Sequence, residues 1–151
     1  MHNSTRFPAV ALKPCQALRW AICGLATIHY LPPAIAAEVV PVPGGAVVSP
    51  GQGVPVVNIV APNAAGLSHN QYLDYNVDRQ GLVLNNSLAG GNSQLAGQLG
   101  ANPQFHGRDA SLILNEVISR NASSINGPQE IFGRAADYVL ANPNGINVNG
   151  A

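Results

Sequence analysis

From Val54 onward, apolar and polar residues alternate in short bursts, each ended by Asn, Gly or Pro. Val54-Pro55-Val56-Val57-Asn58-Ile59-Val60 closes on Ala61-Pro62-Asn63. Tyr72-Leu73-Asp74-Tyr75-Asn76-Val77 follows, with Leu73, Tyr75 and Val77 expected on one face and Tyr72, Asp74 and Asn76 on the other. Arg79-Gln80-Gly81 turns the chain into Leu82-Val83-Leu84, which ends in Asn85-Asn86. The pattern returns at Ser111–Ile118, Gln129–Gly133, Asp137–Asn142 and Gly145–Asn149. A period of two over short segments predicts strands, and no segment carries a convincing helical period. Two intervals break the pattern. Gly66–Asn70 reads as a loop in which Ser68 could cap a brief helical turn, and Ser87–Arg108 reads as an irregular excursion anchored by Leu88, Leu95 and Leu99.

The expected class is therefore all-β, with a sandwich and a solenoid of stacked rungs as competing architectures. Turn chemistry favours the solenoid. Fifteen asparagines lie between Ala37 and Ala151, and Asn58, Asn85, Asn115, Asn142 and Asn149 sit at or just after expected strands. Asparagine enters the left-handed region that rung corners need, and its amide can bond from one rung to the next. Ahead of the strands, Glu38–Pro55 carries prolines on alternating positions, which suits an edge or a cap and not a central strand.

One turn stands out near the C-terminus, Asn142-Pro143-Asn144-Gly145-Ile146. Pro143 pushes Asn142 out of the helical region, Asn144-Gly145 supplies two residues that tolerate positive φ, and Ile146-Asn147-Val148 resumes the alternation.

The first thirty-six residues have a different character. Arg6, Lys13 and Arg19 precede the apolar run Trp20–Ile28, and Ala34-Ile35-Ala36 supplies small residues before the first acid, Glu38. That order predicts a secretory signal peptide helix over residues 1–36, cleaved after Ala36 or Ala37; a buried helix or an N-terminal anchor is the alternative. Cleavage would remove Cys15, Cys23 and Lys13. Four arginines would then face seven acids, leaving no basic patch for nucleic acid and no disulfide. A small exported domain without disulfides needs a regular, self-templating backbone or a longer chain.

Six fragments now fall in order: Val56–Asn63, Gly66–Asn70, Asp74–Val77, Gly81–Ser87, Asn102-Pro103 and Asn142–Ile146. Together they resemble the N-terminal domain of filamentous-haemagglutinin-like and contact-dependent inhibition toxin-like exoproteins, the secreted partners of bacterial two-partner secretion. The resemblance covers residues 40 to 151. It implies a right-handed parallel β-helix with an N-terminal β cap, here cut short, so that residues 37–151 would be a partial domain. It also implies a secreted or cell-surface product of a Gram-negative bacterium. Sec machinery and signal peptidase would act first, and POTRA domains of an outer-membrane β-barrel transporter would then read the domain in the periplasm. The transporter-recognition residues implied are Asn142, Pro143, Asn144, Gly145 and Ile146, with Asn102 and Pro103. At the second of these sites the family's N-P-N-L becomes Asn102-Pro103-Gln104-Phe105.

No enzyme signature accompanies this set, and no cofactor is expected. His69 and His106 are far apart and lack ligand-spaced partners. Ser68, His69 and Asp74 lack a nucleophile elbow, and Asp74 and Asp78 read as solvated charges. Arg134–Asp137 reads as a rung-edge ion pair or a turn. Asn121-Ala122-Ser123 fits a glycosylation sequon, relevant only in a eukaryotic secretory route. The competing functions are an adhesin module that binds a host-cell receptor, directly or through a region downstream, and a truncated, non-functional, aggregation-prone fragment.

Overall fold

The computed structural model describes residues 39–149, so the signal peptide expected over residues 1–36 lies outside the described residues. Twelve strands and no helix occur among the described residues: β1 (Val39–Pro41), β2 (Val47–Pro50), β3 (Pro55–Asn58), β4 (Leu67–Tyr75), β5 (Leu82–Asn86), β6 (Gly91–Ser93), β7 (Gly97–Leu99), β8 (Leu112–Val117), β9 (Ser123–Ile125), β10 (Gln129–Gly133), β11 (Asp137–Ala141) and β12 (Ile146–Val148). The all-β class is as the alternation predicts.

Three passes of the chain lie one above another. β3, β5 and β10 pair in parallel along one side. β4, β8 and β11 do so along a second. Along the third, Val77 bridges Ile125 of β9, and β9 pairs with β12. The sheets are nevertheless mixed. β1 runs antiparallel on β4, β2 antiparallel on β3, and β6 with β7 forms an antiparallel hairpin. The proline-rich segment from Val39 to Pro50 thus covers one end of the stack, with Pro41 and Pro50 in strands that have no further neighbour among the described residues. Proline is tolerated there because it lacks the donor that a next strand would require.

The interior is filled by Val57, Ile59, Tyr72, Tyr75, Val77, Leu82, Leu84, Ile113, Val117 and Ile125. Each such buried aliphatic or aromatic side chain contributes about 1.5–3 kcal/mol relative to exposure. Tyr72 and Tyr75 meet edge to face, ring centres 4.9 Å apart, which corrects the face assignment made from alternation. Both tyrosines are buried and Leu73 is 40% exposed. The cause is a register shift. Val40 aligns with Asp74 but Pro41 with Tyr72, so Leu73 is an extra residue in β4. A bulge of this kind reverses the facing of everything beyond it.

A second correction concerns Gly66–Asn70. Strand β4 begins at Leu67, and buried Ser68 donates its hydroxyl to the Val60 carbonyl at 2.8 Å. The polar residues Ser68 and Asn70 face inward, so no apolar period marked the segment as strand. Likewise the excursion Ser87–Arg108 contains the hairpin β6–β7. It lies over the outer face of the β3–β5–β10 sheet, where Leu95, Ala96 and Leu99 pack on Val54, Val56, Val83 and Phe132. Every residue of β5 is consequently buried, which explains why Leu82-Val83-Leu84 is apolar without alternation.

Asparagine does not act as expected at the corners. Among the described residues no non-glycine residue has positive φ. Glycine makes those corners, as at Gly133 (φ 98°), where a Cβ would come within 2.6 Å of Ser87. Asparagine contributes through its side-chain amide. Asn85 Nδ2 donates to Asn58 Oδ1 at 2.9 Å, joining adjacent passes. Fully buried Asn86 donates to the carbonyls of Ala110 (2.9 Å) and Arg134 (2.8 Å) and accepts from the Ala110 N–H (2.8 Å). Replacing Asn86 with Ala would remove the partner of the two buried Ala110 backbone groups and of the partly exposed Arg134 carbonyl, and we expect a loss of about 2–3 kcal/mol in urea unfolding. Asn149→Ala, at an exposed site with a single 3.4 Å contact, should change stability by under about 0.5 kcal/mol.

One carboxylate fastens the hairpin. Glu130 of β10 accepts from Ser93 Oγ (2.7 Å), Gln94 N (3.0 Å) and Leu95 N (2.9 Å). Partial burial opposes its ionisation, but the bonds from Ser93, Leu95 and Gln94 outweigh this and hold its carboxyl below the usual range. The lowered value means that the contribution is present above the unfolded-state pKa and is lost as pH falls through the folded one. We therefore expect hydrogen-exchange protection of the Gln94 and Leu95 amides to fall on acidification through the carboxylate range. In Glu130→Gln, which should cost about 1 kcal/mol, that pH dependence should vanish.

Candidate functional site

The segment Asn142–Ile146 forms the corner between β11 and β12, and its geometry follows from its residue types. Pro143 holds the chain away from helix after Asn142. The Gly145 N–H donates to the Asn142 carbonyl at 3.2 Å, and Gly145 takes φ 107°. Asn144 keeps an ordinary negative φ, so the positive-φ tolerance expected of both residues is used only by glycine. Asn142 Oδ1 accepts from the Asn144 N–H at 2.9 Å, a local side-chain-to-backbone turn.

The two amides then reach the pass below. Asn142 Nδ2 donates to the Asn121 carbonyl (3.0 Å) and to Ser123 Oγ (2.9 Å), and Asn144 Nδ2 donates to the Ser119 carbonyl (2.8 Å). The Ser123 N–H donates to the Gly145 carbonyl at 3.0 Å, which starts the β9–β12 pairing. Pro143, Asn144, Gly145 and Ile146 remain exposed. Ile146 and Val148 align with the buried Ser123 and Ile125 below them, yet are 41% and 61% exposed.

Asn102-Pro103-Gln104-Phe105 repeats this turn. The Phe105 N–H donates to the Asn102 carbonyl (3.2 Å), and Asn102 Oδ1 accepts from the Gln104 N–H (2.9 Å). Asn102 Nδ2 donates to the carbonyls of Ile59 (2.9 Å) and Asn85 (2.8 Å), and Gln104 Nε2 donates to the Asn58 carbonyl at 2.6 Å. Gln104 thereby makes the bond that Asn144 makes in the later turn, with one more methylene. The environments differ: Asn102 is 3% exposed, and Phe105 packs on the main core. The two Asn-Pro sites thus share the same asparagine-closed turn on different corners, the earlier with its Asn buried and the later open to water, and only the later uses a positive φ. The sequence signal for this kinship was the Asn-Pro pair itself.

The remaining candidates separate. His69 Nε2 lies 2.8 Å from Glu116 Oε2, with Gln71 Nε2 donating to the same oxygen at 3.0 Å. The Gln71 and His69 bonds hold the Glu116 carboxyl below its usual range. His106 is exposed and elsewhere, and no three His, Cys, Asp or Glu side chains converge among the described residues. Asp74 accepts from Asn121 Nδ2, while Asp78 sits in the turn closed by Gly81. Arg134 pairs with Asp109 at 3.2 Å and not with Asp137, its neighbour in sequence. The tyrosine hydroxyls form an interior network that sequence reasoning missed: Tyr75 and Tyr138 both donate to Gln129 Oε1 at 2.8 Å. Burial pushes Tyr72 and Tyr75 well above the ordinary phenol range and raises Tyr138 against the opposing effect of its hydrogen bonds.

The contrast in burial gives a measurable difference between the turns. Asn102→Ala leaves two buried carbonyls and one N–H without partners and should cost about 2–4 kcal/mol in urea unfolding, whereas Asn142→Ala, at a corner open to water, should cost about 1 kcal/mol.

Known proteins are similar to this chain over most of its length. "Hemolysin" of Serratia marcescens is 63% identical over 117 residues, 76% of this chain but 7% of that protein. "Filamentous hemagglutinin" of Bordetella pertussis is 41% identical over 152 residues, 98% of this chain and 4% of its own length. "tRNA nuclease CdiA" of Escherichia coli strain STEC_O31 is 41% identical over 139 residues, covering 91% of this chain and 4% of that one. The chain therefore spans a small part of each relative. A crystal structure of a filamentous hemagglutinin secretion domain superposes with a TM-score of 0.70 at 45% identity, over 74% of this chain and 37% of that one. The family model for the TPS secretion domain matches residues 34–151, and the chain belongs to that family.

Proposed function

We propose that this chain is the secretion-targeting part of a longer, haemolysin- or haemagglutinin-like exoprotein of a Gram-negative bacterium. It would be read in the periplasm by POTRA domains of an outer-membrane β-barrel transporter, and the product would be released or held at the cell surface. The observation that carries this reading is the family match over residues 34–151. The three parallel stacks beneath an antiparallel cap support a parallel β-helix, and the right-handed sense is the one that parallel crossover connections take as a rule. The segment itself has a targeting and not a catalytic role. The nuclease named among the relatives shares only this small fraction of its length.

The site geometry constrains how recognition works. The amides of Asn142, Asn144 and Asn102 are consumed by contacts within the fold. Both Nδ2 hydrogens of Asn144 are taken, by the Ser119 carbonyl and by Asn142 Oδ1, so that nitrogen has no hydrogen left for a partner. Recognition through these nitrogen donors therefore acts on the chain before the turns close, with backbone pairing to a sheet edge supplying the affinity. Closure of Asn142–Ile146 onto Ser119–Ser123 then competes with the partner for the same groups and favours release of a segment that has folded.

The test is export of the full exoprotein alongside its transporter. Asn142→Ala with Asn144→Ala should reduce the secreted fraction severalfold, with the protein retained in the periplasm. Asn86→Ala, which weakens the fold away from the motif, should be exported but then show increased protease sensitivity. Normal export of the double variant would remove the recognition role from these two residues.

A further inference from the structure

Asparagine followed by glycine is the chemically least durable pairing in a polypeptide, because a residue without a Cβ leaves its backbone nitrogen free to approach the preceding side chain. The chain contains three such pairs: Asn126-Gly127, Asn144-Gly145 and Asn149-Gly150. The first is enclosed, with Gly127 buried against the Asp78 carbonyl and the Asn126 N–H donating to the Val77 carbonyl at 2.7 Å. Asn144 and Gly145 are both exposed, and a Cβ on Gly145 would meet nothing within 4 Å. Water and base therefore have free access to this pair, and only hydrogen bonds restrain it.

We propose that Asn144 is a self-modification site, converting to aspartate or isoaspartate, and that docking of its turn gates the reaction. In the reaction the Gly145 backbone nitrogen gives up its proton and bonds to Asn144 Cγ. The Cγ–Nδ2 bond breaks, and the nitrogen leaves as ammonia with that proton. Water then opens the resulting five-membered imide at either carbonyl, so the net change is amide plus water to acid plus ammonia, with no oxidant or reductant. The closed turn opposes both ends of the first step. The attacking Gly145 N–H is held by the Asn142 carbonyl at 3.2 Å. The side chain under attack is tied through Nδ2 to the Ser119 carbonyl at 2.8 Å and to Asn142 Oδ1 at 3.2 Å. An open turn loses all three restraints together.

The product cannot restore the closed turn. A carboxylate at position 144 places an acceptor against the Ser119 carbonyl where a donor stood, and the isoaspartate form also lengthens the backbone by one carbon. A chain kept unfolded thus acquires a defect at the corner that starts β12, whereas a chain that folds promptly is protected. The inference is independent of the export reading, because its readout is chemical and needs no transporter.

The experiment incubates the purified full chain at mildly alkaline pH, in buffer and in urea above its unfolding midpoint, and follows each Asn-Gly pair by peptide mass mapping. Conversion at Asn144 should be about tenfold or more faster in urea, since two or three hydrogen bonds must open for reaction in the native chain. Asn142→Ala should raise the native rate severalfold and leave the urea rate unchanged, with Asn126 remaining slow in the same digest. If Asn126 also accelerates, the variant has unfolded, and the wild-type ratio of urea to native rates decides the matter. Equal wild-type rates in the two conditions, or a native Asn142→Ala rate equal to wild type while Asn126 stays slow, would overturn the proposal.

Discussion

Strands that stack in parallel satisfy their own ladders but leave the corners between them short of partners, and inside a molecule an unpaired carbonyl or N–H is costly. In this protein asparagine side chains meet that requirement. Asn86 serves Ala110 and Arg134, Asn102 serves Ile59 and Asn85, Asn70 accepts from Val60, and Asn142 serves Asn121. Each amide joins segments remote in sequence, so the corners of successive passes close only when the passes lie in register. The apolar interior supplies the larger energy. It is indifferent to sliding by two residues, whereas the amides are not. Few charges are needed in such a design, and the two ion pairs among the described residues, His69–Glu116 and Arg134–Asp109, lie at the surface.

Much of this was legible in the sequence, and the failures share one physical origin. Strand β10 was read with its observed bounds, and β5, β8, β11 and β12 within a residue or two, because alternation and turn residues agree there. Strand β4 was read from Tyr72 and not from Leu67, because its first inward residues are the polar Ser68 and Asn70. Leu73 was assigned inward because nothing local announces a bulge. The stacking period was hidden by the excursion between β5 and β8. Val56 aligns with Val83 in one pair of passes, but Leu67 aligns with Leu112 across the inserted hairpin. Asparagine was credited with a backbone role that glycine performs. At the candidate site the Asn-Pro pairs located both turns. That the amides face inward, leaving only Pro143, Asn144, Gly145 and Ile146 on the surface, depends on which strand lies beneath and could not be read from the motif.

The two ends of the stack are chemically unlike. At one end β1 and β2 run against the grain of the strands below and carry Pro41 and Pro50. At the other, β10, β11 and β12 run with the grain, have no strand beyond them among the described residues, and show Val139, Ile146 and Val148 to solvent. A strand added beyond β10, β11 or β12 meets an edge without proline, whereas one added beyond β1 or β2 meets a missing donor at Pro41 or Pro50. The end that carries β10, β11 and β12 is therefore the better template for a further parallel strand. A short antiparallel cap thereby biases the direction in which further strands add to the stack.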